Sequence, residues 1–407
     1  MCRRPWNLIR VMPAQGEMTA MGPDKGAAAA DVVVVGAGVV GLAAAWSAAR
    51  RGLRVLVLEA SAPGAGASGV AAGMLAPVTE ADFGEPELIE LNLAAARAWP
   101  RFVRELEAAA GARVGYRETG TLTVAVDRDE ADVLRRLHGL QAELGLDAEW
   151  LTGSASRRLE PGLAPRVAAG ILASGDHQVS PRAVVSALAG AVAAAGGEIR
   201  HGVRARGLEC GAGAVDAVVL EDGALLPARA VVLAAGAESA GLDVPEAARV
   251  SVRPVKGQIL RLRGGASAPL PATRVIRTPE VYAVPRADGR LVVGATMEER
   301  GFDTSVTAGG VLELLRRAYE ALPGISELEL VEARAGLRPA AADNGPIIGP
   351  AAVPGVIWAT GHWRHGILLA PITGEAVAAV LAGEEPPAQT LAFSPARFMR
   401  PAAEVAG

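Results

Sequence analysis

The chain has 407 residues, 51% of them hydrophobic and 21% charged, with a formal net charge of −4. That length exceeds one compact core, so two or three domains are expected, and the near-neutral charge argues against nucleic acid or an anionic membrane as partner. Two cysteines, Cys2 and Cys210, are too few for a cysteine-built metal site, and no apolar run is long enough to span a bilayer, so a metal-free cytoplasmic protein is expected.

Residues 1–29 carry Arg3 and Arg4, but Arg10 and Pro13 interrupt any apolar core behind them. The segment does not read as a signal peptide. It is expected to be a disordered arm, with Met18 and Met21 as candidate natural starts.

Asp31 to Glu59 is the most informative stretch. Val32 to Val35 is a β-branched run of the kind found in strands buried on both faces. Gly36, Gly38 and Gly41 follow in G-x-G-x-x-G spacing, then a small-residue helix over Leu42 to Arg51, a stop at Gly52 and a second strand from Arg54. Each part suits a dinucleotide. Gly36 permits the tight turn, Gly38 lets a pyrophosphate approach the backbone, and Gly41 lets helix and strand pack closely. The helix N-terminus then offers amides and a positive dipole end to the phosphates, with Val39 and Val40 in the glycine turn before it. Glu59 closes the second strand and can accept hydrogen bonds from the ribose hydroxyls, with Ala60 beside it. A glutamate rather than an arginine speaks against a 2′-phosphate, which leaves FAD or NAD.

A glycine-rich loop, SAPGAGASGVAAGMLAP, follows; its length suggests that it binds something. Glu85 to Gly111 has an amphipathic helical period that Pro100 should kink or divide. Thr121 to Val126 reads as a strand and Glu130 to Leu144 as a charged helix. Ser180-Pro181 is a cap followed by proline at the first helical position, and that helix runs to Gly196-Gly197. Ala214 to Leu220 and Ala224 to Pro227 form a hairpin, and Val231 to Ala235 is a further buried strand. A strand-rich block covers Val252 to Arg263, Thr273 to Arg277, Tyr282 to Arg286 and Leu291 to Ala295, closed by a helix over Gly310 to Leu322. GVIWATGHWRHGILLAPITGEAVAAVL ends the pattern as strand, loop and helix, the helix starting near Gly366. The expected architecture is α/β: a Rossmann-type domain over residues 30–114, 172–250 and 334–395, interleaved with an antiparallel-sheet α+β substrate domain over residues 115–171 and 251–333.

Five motifs occur in one order: the N-terminal βαβ unit, ASGVAAGML, VYAVPR…LVVGATM, AGLRP and GHWRHGILLAPITG. Together they resemble the D-amino-acid oxidase superfamily of FAD enzymes, and within it most of all the bacterial glycine oxidases of the thiamine pathway. The resemblance covers nearly the whole chain beyond residue 30. It implies dissociable, non-covalent FAD, with contacts from Ala67, Ser68, Ala72, Gly73 and Met74 along the ribityl chain and flavin. His362, Trp363, Arg364, His365, Gly366, Ile367 and Leu368 would wrap the ring, and backbone near Val203-Arg204 would reach the adenine.

The resemblance also assigns a substrate site. Arg338 falls at the carboxylate-binding arginine, and its planar fork suits a carboxylate. Tyr282 matches the active-site tyrosine whose hydroxyl reaches the same carboxylate, Arg364 a second substrate contact, and Met297 the pocket lining. Glu280 departs from the family pattern, which places a histidine two residues before the tyrosine. It could repel an acidic substrate side chain if it faces the pocket. The implied reaction is oxidative deamination of glycine and other small amino acids or amines, such as sarcosine and D-alanine, to imine or 2-oxo acid, ammonia and hydrogen peroxide. The implied setting is a homotetramer serving thiamine thiazole synthesis. The alternative is a D-amino-acid or secondary-amine dehydrogenase that passes electrons to a carrier.

Overall fold

The computed structural model describes residues 30–398, so the expected arm, residues 1–29, lies outside the described residues. The chain forms two compact units: the first comprises residues 30–65, 185–253 and 339–398, the second residues 66–184 and 254–338.

The first unit is built on a six-stranded sheet in the order Ile347–Pro350, Val356–Thr360, Val231–Leu233, Val32–Val35, Val55–Glu59, Glu198–His201. All neighbouring pairs are parallel except the outermost, Ile347–Pro350 with Val356–Thr360. The valine run holds the centre because it can be buried on both faces: Val32, Val33 and Val34 are each 0% exposed. Helix Val39–Ala49 begins directly at the glycine turn, three residues before the helical pattern of the sequence suggested. The last helix, Ala370–Ala382, also differs from expectation, beginning four residues after Gly366. Pro371 sits in its first turn and has no N–H to donate backwards, so the residues before it form separate turns.

The second unit carries an eight-stranded sheet in the order Glu329–Ala340, Arg253–Arg263, Arg290–Gly294, Tyr282–Pro285, Val275–Arg277, Thr121–Ala125, Ala169–Ala173, Glu149–Thr152. Its pairings are antiparallel along the hairpins and parallel where Val275–Arg277 meets Thr121–Ala125. Leu122, Leu260, Leu291 and Val293 lead its core, with Leu314 and Ala318 from helix Ala308–Ala321. The long helix Pro86–Ala110 is one element; Pro100 lies inside it without dividing it. An internal proline costs a helix about 3 kcal/mol, and here Leu88, Leu91 and Ala95 are buried before it and Trp99, Phe102 and Leu106 around and after it. Packing along the whole face outweighs the lost bond.

The unit boundaries differ from the expected domains: residues 66–114, 172–184 and 334–338 fall in the second unit and residues 251–253 in the first. The cause for the first two is a set of non-local ties. Met74–Leu75 pairs with His177–Gln178. Asp176, fully buried, accepts hydrogen bonds from the Val78 amide at 3.0 Å, the Thr79 amide at 3.0 Å and the Thr79 hydroxyl at 2.6 Å.

In the first unit, Trp358 is fully buried and its indole Nε1 donates to the carbonyl of Ala248 at 2.7 Å. Trp358→Phe strands that buried carbonyl, so the urea midpoint should fall by the equivalent of about 1–3 kcal/mol with unchanged m-value; an unmoved midpoint would refute this account of the core.

Candidate active site

The first unit presents a side-chain-free cradle. Gly36 has φ +105°, a conformation open to glycine, and a Cβ on Gly41 would lie 2.0 Å from the Gly36 carbonyl oxygen. Gly38 caps helix Val39–Ala49 without a side-chain hydrogen bond, so Val39, Val40 and Gly41 form a first turn with no side-chain cap. That is the arrangement that accepts a diphosphate. Glu59 is held at the strand end by the Ala37 amide on Oε2 (2.8 Å) and the Ser61 amide on Oε1 (2.9 Å). A carboxylate has about four lone-pair sites, which leaves capacity for ribose hydroxyls; Ala60 follows. Val203 donates its amide to the Glu59 carbonyl at 2.9 Å, and Arg204, exposed, accepts from the Glu221 amide at 2.9 Å and pairs with the Glu221 carboxylate at 3.8 Å. The cradle, the helix start and the acid fit a dinucleotide.

The loop after Val356–Thr360 belongs to the same unit. Trp363 takes φ +48° and donates its amide to the Pro339 carbonyl at 2.8 Å. His362 and His365 are buried, 2% exposed each, as are Ile367 and Leu368; Gly366 is half-buried and Arg364 is exposed. His362 Nε2 lies 3.0 Å from the Thr373 hydroxyl. Burial, seconded by the neighbouring His365, drives the His362 imidazole down to about 3, so it is neutral at physiological pH.

The second unit gathers the other predicted residues. Ala67 and Ser68 open the short helix Ala67–Val70. Ala72 is buried, Gly73 accepts from the Val179 amide at 2.9 Å, and Met74 faces Gln178 across the strand pair. Met74 and Tyr282 pack on one cluster with Val70, Ala72 and Ile259. Arg338 donates to the carbonyls of Thr296 at 3.1 Å and Lys256 at 3.4 Å. Its guanidinium lies beside the Tyr282 hydroxyl: burial pushes that phenol above its ordinary value, while the Arg338 charge works the other way. Met297 is 65% exposed and contributes no wall within this unit.

Two glycines that sequence reasoning passed over make this arrangement possible. A Cβ on Gly257 would fall 2.4–2.6 Å from the Arg338 guanidinium, and one on Gly294 would fall 2.6–2.8 Å from the Tyr282 ring and hydroxyl. The available signal was a glycine inside each strand pattern, VKGQIL and LVVGAT, which marks a close approach. Glu80 was also missed. Its carboxylate, 9% exposed, lies 3.5 Å from Arg277, which stands opposite Tyr282 in the sheet and donates to the Thr79 carbonyl at 2.7 Å. Glu280, the departure from the family pattern, pairs with Arg317 at 2.5 Å.

The His362 shift carries a sign. The unfolded chain binds its proton near 6.5, while the folded site refuses it down to about 3. Stability is therefore fully present above pH 6.5 and is lost as pH falls below it, by at most about 1.4 kcal/mol per pH unit. Urea midpoints at pH 7 and pH 5 should diverge more in the native protein than in His362→Gln; equal slopes would remove His362 as the cause.

The family model described as FAD dependent oxidoreductase (DAO) matches residues 31–380. A glycine oxidase of Geobacillus kaustophilus is 36% identical over 91% of this chain and 97% of its own length. A bifunctional protein ThiO/ThiG of Synechocystis sp. is 35% identical over 91% of this chain, which spans 54% of that longer protein. The crystal structure of glycine oxidase from Geobacillus kaustophilus superposes with a TM-score of 0.85 at 34% identity, covering 91% of this chain and 99% of that one. With the glycine cradle, the helix start behind it and the strand-end acid in place, the chain belongs to the FAD dependent oxidoreductase family and uses FAD.

Proposed function

We propose that the protein oxidatively deaminates glycine and other small amino acids or amines, including sarcosine and D-alanine, with oxygen as acceptor. The observation that carries this reading is the Arg338–Tyr282 pair laid over glycine backbone in the second unit. Relatives named glycine oxidase support the donor class, and the relatives named for thiamine biosynthesis or as ThiO/ThiG support a place in that pathway. A homotetramer, by resemblance, and a cytoplasmic setting, by the low cysteine count, complete the reading.

Arg338 binds the substrate carboxylate through its planar donor fork, anchored from behind by the Thr296 and Lys256 carbonyls. Tyr282 donates its phenolic hydroxyl to the same carboxylate. Fixing the carboxylate fixes the α-carbon, and most of the catalytic effect then comes from orientation and excluded water, with no acid–base side chain required. Bound FAD supplies the two-electron acceptor for the α C–H bond and returns the electrons to oxygen. The imine product hydrolyses in water to 2-oxo acid and ammonia. Glu280 is engaged by Arg317, so it adds no free carboxylate against the substrate. Met74 lines the apolar side of the same cluster. Arg364 and Met297 are assigned as further substrate contacts, Ala67, Ser68, Ala72 and Gly73 as backbone contacts to the cofactor, and residues 362–368 as its wrap. These assignments follow from motif position.

Glycine added anaerobically should bleach the yellow holoenzyme, and air should restore the colour with one peroxide per turnover; bleaching restored by an artificial dye without peroxide would make it a dehydrogenase. Arg338→Ala should raise KM for glycine by about 100-fold or more with FAD still bound, and Tyr282→Phe by about tenfold. Gly257→Ala, which displaces the guanidinium without removing it, should mimic a weaker Arg338→Ala. Native KM in all three would sink the carboxylate assignment.

A further inference from the structure

Outside the residues assigned above, the second unit contains a cavity of about 420 Å³, within the range of small-molecule sites. Its wall holds six arginines, Arg113, Arg117, Arg182, Arg261, Arg286 and Arg290, against two carboxylates, Glu107 and Asp288. Some of that charge is cancelled. Asp288 pairs with Arg290, and Glu332 behind the wall takes Arg182 at 2.8 Å and Arg261 at 2.9 Å. Glu107 lies 3.5 Å from Arg113.

Arg117 and Arg286 are different. Arg117 donates to the carbonyls of Pro285 at 3.1 Å and Thr273 at 3.4 Å. Arg286 donates to Gln178 Oε1 at 3.1 Å and to the carbonyls of Val179 (2.7 Å) and Ala72. Neutral oxygens orient these forks without removing their charge. Burial, then the charge of Arg261, lowers Arg286 to about 10, with Asp288 acting in the other direction. The first turn of helix Pro181–Ala194 lines the same wall and adds its positive end. Beside the charges stand apolar faces, Ala71, Pro181 and Val292, and the half-buried Tyr116, whose ring meets His177 edge-on at 5.7 Å.

We propose that this cavity is an anion site whose ligand is a phosphate monoester, the arginine forks taking the phosphate and the Tyr116–Val292 side covering the organic part. Guanidinium forks match the spacing of phosphate oxygens, and a dianion suits the surplus of charge. The inference goes beyond the oxidase reading and does not rest on it.

The test uses full-length enzyme loaded with FAD, so that phosphate cannot enter the cofactor site. Inorganic phosphate, glycerol 3-phosphate and malonate are titrated calorimetrically at constant ionic strength in chloride. Glycerol 3-phosphate should bind saturably at one per chain and more tightly than inorganic phosphate or malonate. Arg117→Gln and Arg290→Gln should each weaken it by about tenfold, the loss of a charge-assisted contact, with kcat/KM for glycine unchanged. Arg290→Gln gives up a surface pair with its near neighbour Asp288, so the test survives if Arg117→Gln fails to fold. Absence of saturable binding, native affinity in Arg290→Gln, or malonate binding as tightly would overturn the proposal. Inorganic phosphate binding as tightly as the ester would assign the site to free phosphate and overturn the monoester.

Discussion

The Arg338–Tyr282 arrangement of the second unit depends on bare backbone at two points. A guanidinium and a phenol can lie flat against the second unit's sheet because Gly257 and Gly294 leave nothing in the way. With any side chain there, Arg338 would lose contact with the Thr296 and Lys256 carbonyls that hold it. The neighbouring cation is removed from competition. Lys256 is fully buried, and its ammonium is met by Asp303 at 2.8 Å and Glu298 at 3.6 Å. Burying an amine is tolerable only with such partners, and the result is that its carbonyl, not its charge, faces Arg338.

What was legible in the sequence was written in local spacing. The glycine turn, the valine strand and Glu59 lie within one βαβ unit, and their order fixes their geometry whatever the rest of the chain does. That Tyr282 and Arg338 belong together was suggested by motif resemblance, and the structure brings the two side chains side by side. Gly257, Gly294 and Glu80 were not legible, since their importance exists only once strands from distant parts of the chain are paired. Asp176 is the clearest case: it fastens a loop nearly a hundred residues earlier, and nothing around it in sequence announces a partner. The same ties explain why residues 66–114 and 172–184 fold with the second unit.

Two prolines bear differently on their helices. Pro100, where a kink or a division is expected, lies inside Pro86–Ala110 without dividing it, and Pro371 lies in the first turn of Ala370–Ala382, which starts four residues after the expected Gly366. Propensity is a local free energy of a few kcal/mol, and a continuous buried face exceeds it in the first case. In the second the missing N–H decides, because residues 366–369 are held by other contacts, including the Leu369 amide on the His365 carbonyl at 2.8 Å. That turn is what keeps His362 and His365 buried under the following helix and the imidazole of His362 uncharged.

The arginines of the second unit divide by what they touch. Arg274 is closed by Glu160, which is itself 1% exposed and also takes the Thr273 amide and hydroxyl. Arg317 is closed by Glu280. Such pairs are structural: the cation is spent before any ligand arrives, and an anion gains little by approaching. Arg338, Arg117 and Arg286 instead donate to carbonyl oxygens. A carbonyl dipole solvates a guanidinium and fixes its plane, yet leaves a full positive charge to be answered from outside the protein. Recognition of an anion is therefore a property of how an arginine is held rather than of its presence. By that criterion Glu280 matters to this protein as the carboxylate that answers Arg317.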